Sequence, residues 1–230
     1  MSKKVISLII FFVIIPIGIL IGATLLEDGK YNLISMFVMV FACIPFFLSF
    51  ERRKPDAREV LIIAVMSAIT VAGRAAFAFI PAFKPMTALV AITGFKLGPE
   101  AGFLTGAVSA VTSNILFGQG PWTPFQMFTL GILGYIAGLL GKTKWMESKI
   151  SLLFYGIFSG IMYSMLMDIW TVLSLGNGFN WIVYGSKIIT AIPFTITYMI
   201  SNVIFLWLLT KPIGDKLERL KIKYGVMQTT

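Results

Sequence analysis

Long apolar stretches, each closed by glycine, proline or charge, fill nearly the whole chain. The runs are Val5–Leu26, Leu33–Phe50, Val60–Ile80, Met86–Leu97, Ala101–Phe117, Thr123–Leu140, Ser151–Leu175 and Lys187–Thr210. A helix needs roughly 20 apolar residues to cross a bilayer, so the pattern predicts an all-α polytopic membrane protein of about eight helices. Met86–Leu97 is short for a full crossing. It is expected to be re-entrant or covered by protein, because lipid satisfies no exposed backbone group. Val5–Leu26 is longer than a signal-peptide core and no small-x-small cleavage site follows it, so it reads as a retained helix. The expected organisation is an N-terminal helix pair with a basic linker over 1–58, a six-helix core over 59–211, and a basic tail over 212–230.

Composition agrees. The chain is 57% hydrophobic and 13% charged, with a mean hydropathy of +0.89, where soluble domains are about a quarter charged. The net charge of +9 does not point to nucleic acid, because Lys and Arg sit at the ends of apolar runs and form no basic stripe. Placing both termini in the cytoplasm puts nearly all of them inside, including Arg52, Arg53, Lys54, Arg58, Lys96 and Lys211. Lys30, Lys84 and Lys187 then fall outside and Arg74 stays in the membrane, as the positive-inside rule prefers.

Histidine is absent and Cys43 is the one cysteine. That removes the commonest general base and metal ligand, and any disulfide framework. Zincin, rhomboid-like and di-metal chemistries lack their parts, and Asp168 alone within the apolar segments cannot form an aspartyl dyad. The phosphate loop Gly-x4-Gly-Lys-[Ser/Thr] is also missing. The chain is therefore read as no enzyme, with no metal or cofactor of its own.

Two charges lie inside apolar segments. Arg74 follows Thr70-Val71-Ala72-Gly73 and precedes Ala75-Ala76-Phe77, and Asp168 stands in Met165-Leu166-Met167-Asp168-Ile169-Trp170. At about 1.5 Å per residue both sit roughly 10 Å below the outer ends of their helices. Opposite signs at equal depth suit a pair, either a buried ion pair fixing helix register or the polar floor of an outward-facing pocket.

The outer links are neutral and aromatic. In Phe117-Gly118-Gln119-Gly120-Pro121-Trp122-Thr123-Pro124-Phe125-Gln126, capping explains part: Thr123 as N-cap, Pro124 at the first helical position, Gln126 closing a capping box. Gln119, Trp122 and Asn114, one turn below, are not explained that way. Leu175-Gly176-Asn177-Gly178-Phe179-Asn180-Trp181 is similar in kind, and Pro81-Ala82-Phe83-Lys84-Pro85 lies on the same side. Such loops over a charged floor suit a small planar ligand. The candidate binding set is Arg74, Phe77, Lys84, Asn114, Gln119, Trp122, Gln126, Asp168 and Asn177.

Small residues recur at four-residue spacing: Ala64, Ala68 and Ala72; Gly102 and Gly106; Gly134 and Gly138; Gly156 and Gly160. Close helix packing accounts for the glycines. The alanine stripe is open between internal packing and an outward docking face.

On the alanine stripe, Gly73-Arg74, Phe83-Lys84-Pro85 and the Phe117–Gln126 loop, the chain resembles the substrate-binding S component of an energy-coupling factor vitamin transporter. The resemblance covers about Val60 to Thr210. It implies that Ala64, Ala68 and Ala72 contact a transmembrane coupling subunit, and that links 81–85, 118–123 and 176–186 close over the substrate. It also implies two separate ATPase subunits that use ATP, and a binding subunit that topples in the membrane to deliver its cargo. The Phe117–Pro124 segment is most similar to cobalamin-salvage members, which implies α-ribazole or dimethylbenzimidazole as cargo. Cobalamin, riboflavin or a queuosine precursor are alternatives. The extra helix pair over 5–50 departs from the six-helix pattern. A secondary transporter is the rival of another class, but no inverted repeat stands out and both buried charges lie toward one side.

Overall fold

The computed structural model describes residues 31–143, 148–175 and 178–226. Over these the chain is all helical: α1 Tyr31–Arg52, α2 Ala57–Ala76, α3 Met86–Leu97, α4 Pro99–Phe117, α5 Thr123–Leu140, α6 Lys149–Leu173 and α7 Trp181–Tyr224. Four of them, α2, α5, α6 and α7, are long and apolar enough to cross a membrane, and the protein is a multi-pass membrane protein. Seven of the eight expected helices are present; Val5–Leu26 lies outside the described residues.

The short helix α3 is the centre of the bundle. It packs against α2, α4, α5 and α7, and Ala88, Val90, Ala91, Ile92 and Thr93 have no exposed surface. The expectation that protein shields this segment holds, and on every face rather than only at the ends. Gly98, at φ +104°, reverses the chain directly into α4 in a backbone conformation that costs glycine nothing. Pro99 then takes the first turn of α4, where its missing N–H is no loss.

Glycine sets the spacing around α3. A Cβ on Gly102 of α4 would collide with the Gly134 carbonyl of α5, and one on Gly106 with the backbone at Leu130. Gly156 and Gly160 of α6 meet the α7 backbone at Val203 and Met199 in the same way. The glycine pairs are thus internal contacts, where close backbone approach replaces the missing hydrophobic drive. The alanine stripe is the opposite case. Ala64, Ala68 and Ala72 are all exposed on α2, beside exposed Val60, Leu61, Val65 and Ile69.

Helix α1, absent from the six-helix pattern, packs beside the core. Phe46 stacks on Phe103 of α4 with ring centroids 3.9 Å apart, and it meets Tyr135 of α5 edge-on at 5.1 Å. At the end of α1, Arg53 pairs with Glu59 at 3.1 Å and Glu100 at 3.2 Å, tying α1 to α2 and α4. This charged end lies opposite the links 77–85 and 118–122.

Several boundaries differ from expectation. The first core helix stops at Ala76, not Ile80, because the chain turns through Phe77 and Ala82 (φ 59°) toward Pro85. The last helix begins at Trp181, not Lys187, because the Asn180 side chain caps it, accepting from Ile182 N–H at 2.8 Å and Val183 N–H at 3.2 Å. It also runs past Thr210 to Tyr224, so most of the expected tail is helix. Pro212 lies within it and removes one backbone bond. The compensation is local: Leu217 is buried, Ile213 and Leu220 pack on the core, and Lys221 donates to the Lys96 carbonyl near the end of α3. A cation there also complements the helix dipole.

Candidate functional site

The link 77–85 is short, rich in proline, and held at both faces. Ser201 of α7 accepts from the Lys84 N–H at 2.9 Å and donates to the Lys84 carbonyl at 3.0 Å. Beneath it Phe77 meets Phe83 and Phe205 edge-on, and Phe83 packs on Phe205 at a tilt. The Lys84 backbone is therefore fixed over the bundle, and its side chain reaches a cavity among α2, α3, α5, α6 and α7.

That cavity has a volume of about 110 Å³. Arg74, Lys84, Gln126, Tyr163, Tyr198 and Asn202 give it polar groups, and Met86 and Leu130 give it apolar wall. Tyr163 and Tyr198 meet edge-on, with ring centroids 4.9 Å apart. Asn202 donates to Ser159 Oγ at 3.0 Å, so its carbonyl oxygen is oriented by a side chain of α6. The Lys84 ammonium is held below the ordinary lysine value, first by burial and then by the positive charge of Arg74.

Arg74 anchors a hydrogen-bond network that crosses three elements. Its Nη1 donates to Ser113 Oγ and Asn114 Oδ1, both at 2.7 Å, and its guanidinium lies 4.9 Å from the centre of the Phe117 ring. Asn114 has no exposed surface, and its Nδ2 donates onward to Gln126 Oε1 at 2.7 Å and Thr123 Oγ1 at 2.9 Å. The Thr123 hydroxyl donates to Gln119 Oε1 at 2.8 Å, and Gln119 Nε2 reaches the Val111 carbonyl at 3.1 Å. One amide thus couples the charged floor to the 118–122 link. A buried network of this kind is stable only when its members are satisfied, and here each named amide has partners.

This arrangement corrects the capping box. Trp122, not Thr123, precedes the first residue of α5, and no side chain caps that end. Thr123 and Gln126 turn toward Asn114 instead, and Gln126 also lines the cavity.

The Arg74–Asp168 pair is not formed either. Arg74 is met by neutral acceptors, and no ion pair joins it to Asp168. Equal depth was not enough, because helix neighbours decide: α2 packs against α3 and α4, whereas α6 packs against α7 and α5. Asp168 is instead within electrostatic reach of Lys187, and its Oδ2 is buried without a hydrogen-bond partner.

Of the residues singled out in the sequence, Arg74, Lys84 and Gln126 line the cavity, and Asn114 and Gln119 hold it through the network. Phe77 belongs to the aromatic layer under the link. Trp122 lies at the surface with its ring against Gly120. Asp168 stands outside the lining, and Asn177 lies outside the described residues. Tyr163, Tyr198 and Asn202 were not picked out. Asn202, a polar amide in the middle of an apolar helix, carried the same kind of signal as Arg74; the tyrosines carried none beyond ordinary helix composition. Among the described residues no group of three His, Cys, Asp or Glu side chains is placed to hold a metal ion.

No solved structure matches the chain. The family model for the S component of the ECF-type riboflavin transporter matches residues 54–211, a span that begins just before α2, ends within α7 and contains every residue of the cavity. The chain therefore belongs to that family, as a membrane subunit of an energy-coupling factor transporter rather than an enzyme of its own.

Proposed function

We propose that this S component captures a small planar, vitamin-like molecule in the cavity under links 77–85 and 118–122, and hands it to a separate energised translocation unit. The observation that carries this is convergence: six polar side chains from four helices and a pinned link, two of them tyrosines, line one cavity. That is the make-up of small-molecule sites, a largely fixed wall with a few oriented polar groups. α-Ribazole or dimethylbenzimidazole is the preferred cargo, on the likeness of the Phe117–Pro124 segment to cobalamin-salvage members. Riboflavin is the second reading, favoured by the family match over residues 54–211.

Small-molecule pockets usually enclose at least roughly 300 Å³, against about 110 Å³ here. Entry of such a ligand requires one of the links to move outward. The 118–122 link is held by side-chain bonds through Gln119 and Thr123, which are easier to exchange than the backbone clamp on Lys84.

The positive-inside rule orients the charged end, with Arg53, Lys96 and Lys211, toward the cytoplasm, so the cavity opens outward and both termini are cytoplasmic. The exposed stripe Ala64, Ala68 and Ala72 is the docking face for the transmembrane coupling subunit. ATP is used by two partner ATPase subunits.

Thermal unfolding of the detergent-purified chain against dimethylbenzimidazole, α-ribazole, cobalamin, riboflavin and queuine tests the assignment. A ligand at 100 times its dissociation constant stabilises by about 2.7 kcal/mol. A shift with α-ribazole or dimethylbenzimidazole alone supports the preferred cargo, and a shift with riboflavin alone supports the second. No shift across the panel counts against the binding role.

A further inference from the structure

The cavity contains two cations and no acid. Arg74 and Lys84 both line it, close enough for the charge of one to act on the other. Among the described residues the ion pairs are Arg53 with Glu59 and Glu100, Arg58 with Asp56, and Lys96 with Glu218. All of these lie at the opposite end of the bundle. Asp168, the one acid within the apolar segments on the cavity's side, is outside the lining, within electrostatic reach of Lys187 and of the cavity residue Tyr198.

The two cations are positioned without being neutralised. Both side-chain hydrogen bonds of Arg74 leave from Nη1 and end on neutral oxygens of Ser113 and Asn114. Its Nε and Nη2 donors have no partner among the described residues. These bonds, with the Phe117 ring beside the guanidinium, fix its plane. Lys84 is fixed through its backbone by Ser201, and none of the hydrogen bonds or ion pairs of the described residues ends on its Nζ. Two like charges in a partly dehydrated cavity repel each other and lose hydration, a cost that a third, negative group removes. A bundle that needed only polar contacts for a neutral ligand has them in Gln126, Tyr163, Tyr198 and Asn202, without either cation.

We propose that the cargo carries an anionic group, a phosphate monoester or a carboxylate, seated between Arg74 and Lys84. Arginine offers a planar fork that matches either oxyanion with two parallel bonds, and lysine adds a point charge from the other side. The tyrosine pair and Met86 then receive the planar part of the molecule, and Gln126 and Asn202 supply its orienting hydrogen bonds. This inference rests on the cavity being the vitamin site. It refines the cargo: a phosphorylated riboside binds better than free dimethylbenzimidazole, which has no anionic group.

The test uses pairs of ligands that differ only in the charged group: riboflavin and riboflavin 5′-phosphate, α-ribazole and its 5′-phosphate, nicotinamide and nicotinate. Inorganic phosphate alone is the control. Affinity for the full-length chain in detergent is measured by titration calorimetry. The expected result is that in at least one pair the anionic member binds about tenfold or more tightly than its neutral partner, that the ratio shrinks in Lys84→Gln, and that raising salt reduces it. Which pair responds separates phosphate from carboxylate. If neutral members bind as well as or better than anionic ones, the inference fails while the binding role stands. If inorganic phosphate alone binds as tightly as a phosphorylated ligand, the site holds a free anion and the inference fails. If no compound in any pair binds, the vitamin-site reading fails and takes the inference with it.

Discussion

Asn114 is the residue whose loss separates a working network from a set of coincident contacts. It is fully buried and makes three hydrogen bonds, one from the Arg74 guanidinium and two to Thr123 and Gln126. In water-soluble proteins a bond to a charged group is worth about 1.5–3 kcal/mol and a neutral one about 1. Membrane proteins give smaller values, about 0.6 kcal/mol on average and about 1.7 at most, because the unfolded chain also finds partners. With one charge-assisted bond near the upper value and two ordinary ones, Asn114→Ala is expected to cost roughly 2–3 kcal/mol. At roughly 2–4 °C per kcal/mol for a chain of this size, thermal unfolding in detergent shifts down by about 4–12 °C. Asn114→Asp keeps the acceptor toward Arg74 and gives up both donors, so it loses less than Asn114→Ala. Unfolding of Asn114→Ala within about 1 °C of the unsubstituted chain refutes the network as the support of the site.

Other outcomes follow from the same geometry. Asp168→Asn leaves thermal stability unchanged within about 1 kcal/mol, because Oδ2 has no hydrogen-bond partner to lose; a loss of about 3–5 kcal/mol, the mark of a broken buried pair, restores the ion-pair reading. Gly102→Val pushes a side chain into the Gly134 carbonyl and costs more than about 3 kcal/mol, well beyond ordinary overpacking of about 1–3 kcal/mol; size-exclusion chromatography is expected to show loss of the monodisperse chain. Ala68→Leu, on the exposed face of α2, changes the isolated chain by less than about 0.5 kcal/mol but abolishes co-purification with the coupling subunit. Retained co-purification moves the docking face elsewhere.

The all-α class and the seven helices of the described residues were legible because apolar run length reports them directly, and the burial of α3 followed from its being too short to face lipid unaided. Boundaries failed where side-chain chemistry decided them. Asn180 stands in an expected loop although an asparagine before Trp181-Ile182-Val183 is a good cap, and the apolar run ends at Thr210 although Leu217 and Leu220 continue the buried face beyond it. At the site, Arg74, Lys84, Asn114, Gln119 and Gln126 stood out as polar groups in apolar surroundings, and the structure gathers them. Asp168 stood out for the same reason and sits apart, since depth along a helix is readable from sequence but the direction around its axis depends on neighbours. The capping-box pattern misled because Thr123 and Gln126 found a stronger partner in Asn114, forty positions after Arg74. Tyr163 and Tyr198 gave no signal, because an aromatic residue in a membrane helix looks alike whether it faces a cavity or lipid.

The most direct measurement is titration calorimetry of the purified chain with α-ribazole and with riboflavin, alongside the cavity variant Gln126→Ala and the distant variant Lys142→Ala. Saturable one-to-one binding of either compound, weakened by about tenfold in Gln126→Ala and unaltered in Lys142→Ala, is the predicted result. Binding that is indifferent to Gln126, or no saturable binding of either compound, contradicts the claim that the cavity under the two links is where this S component holds its cargo.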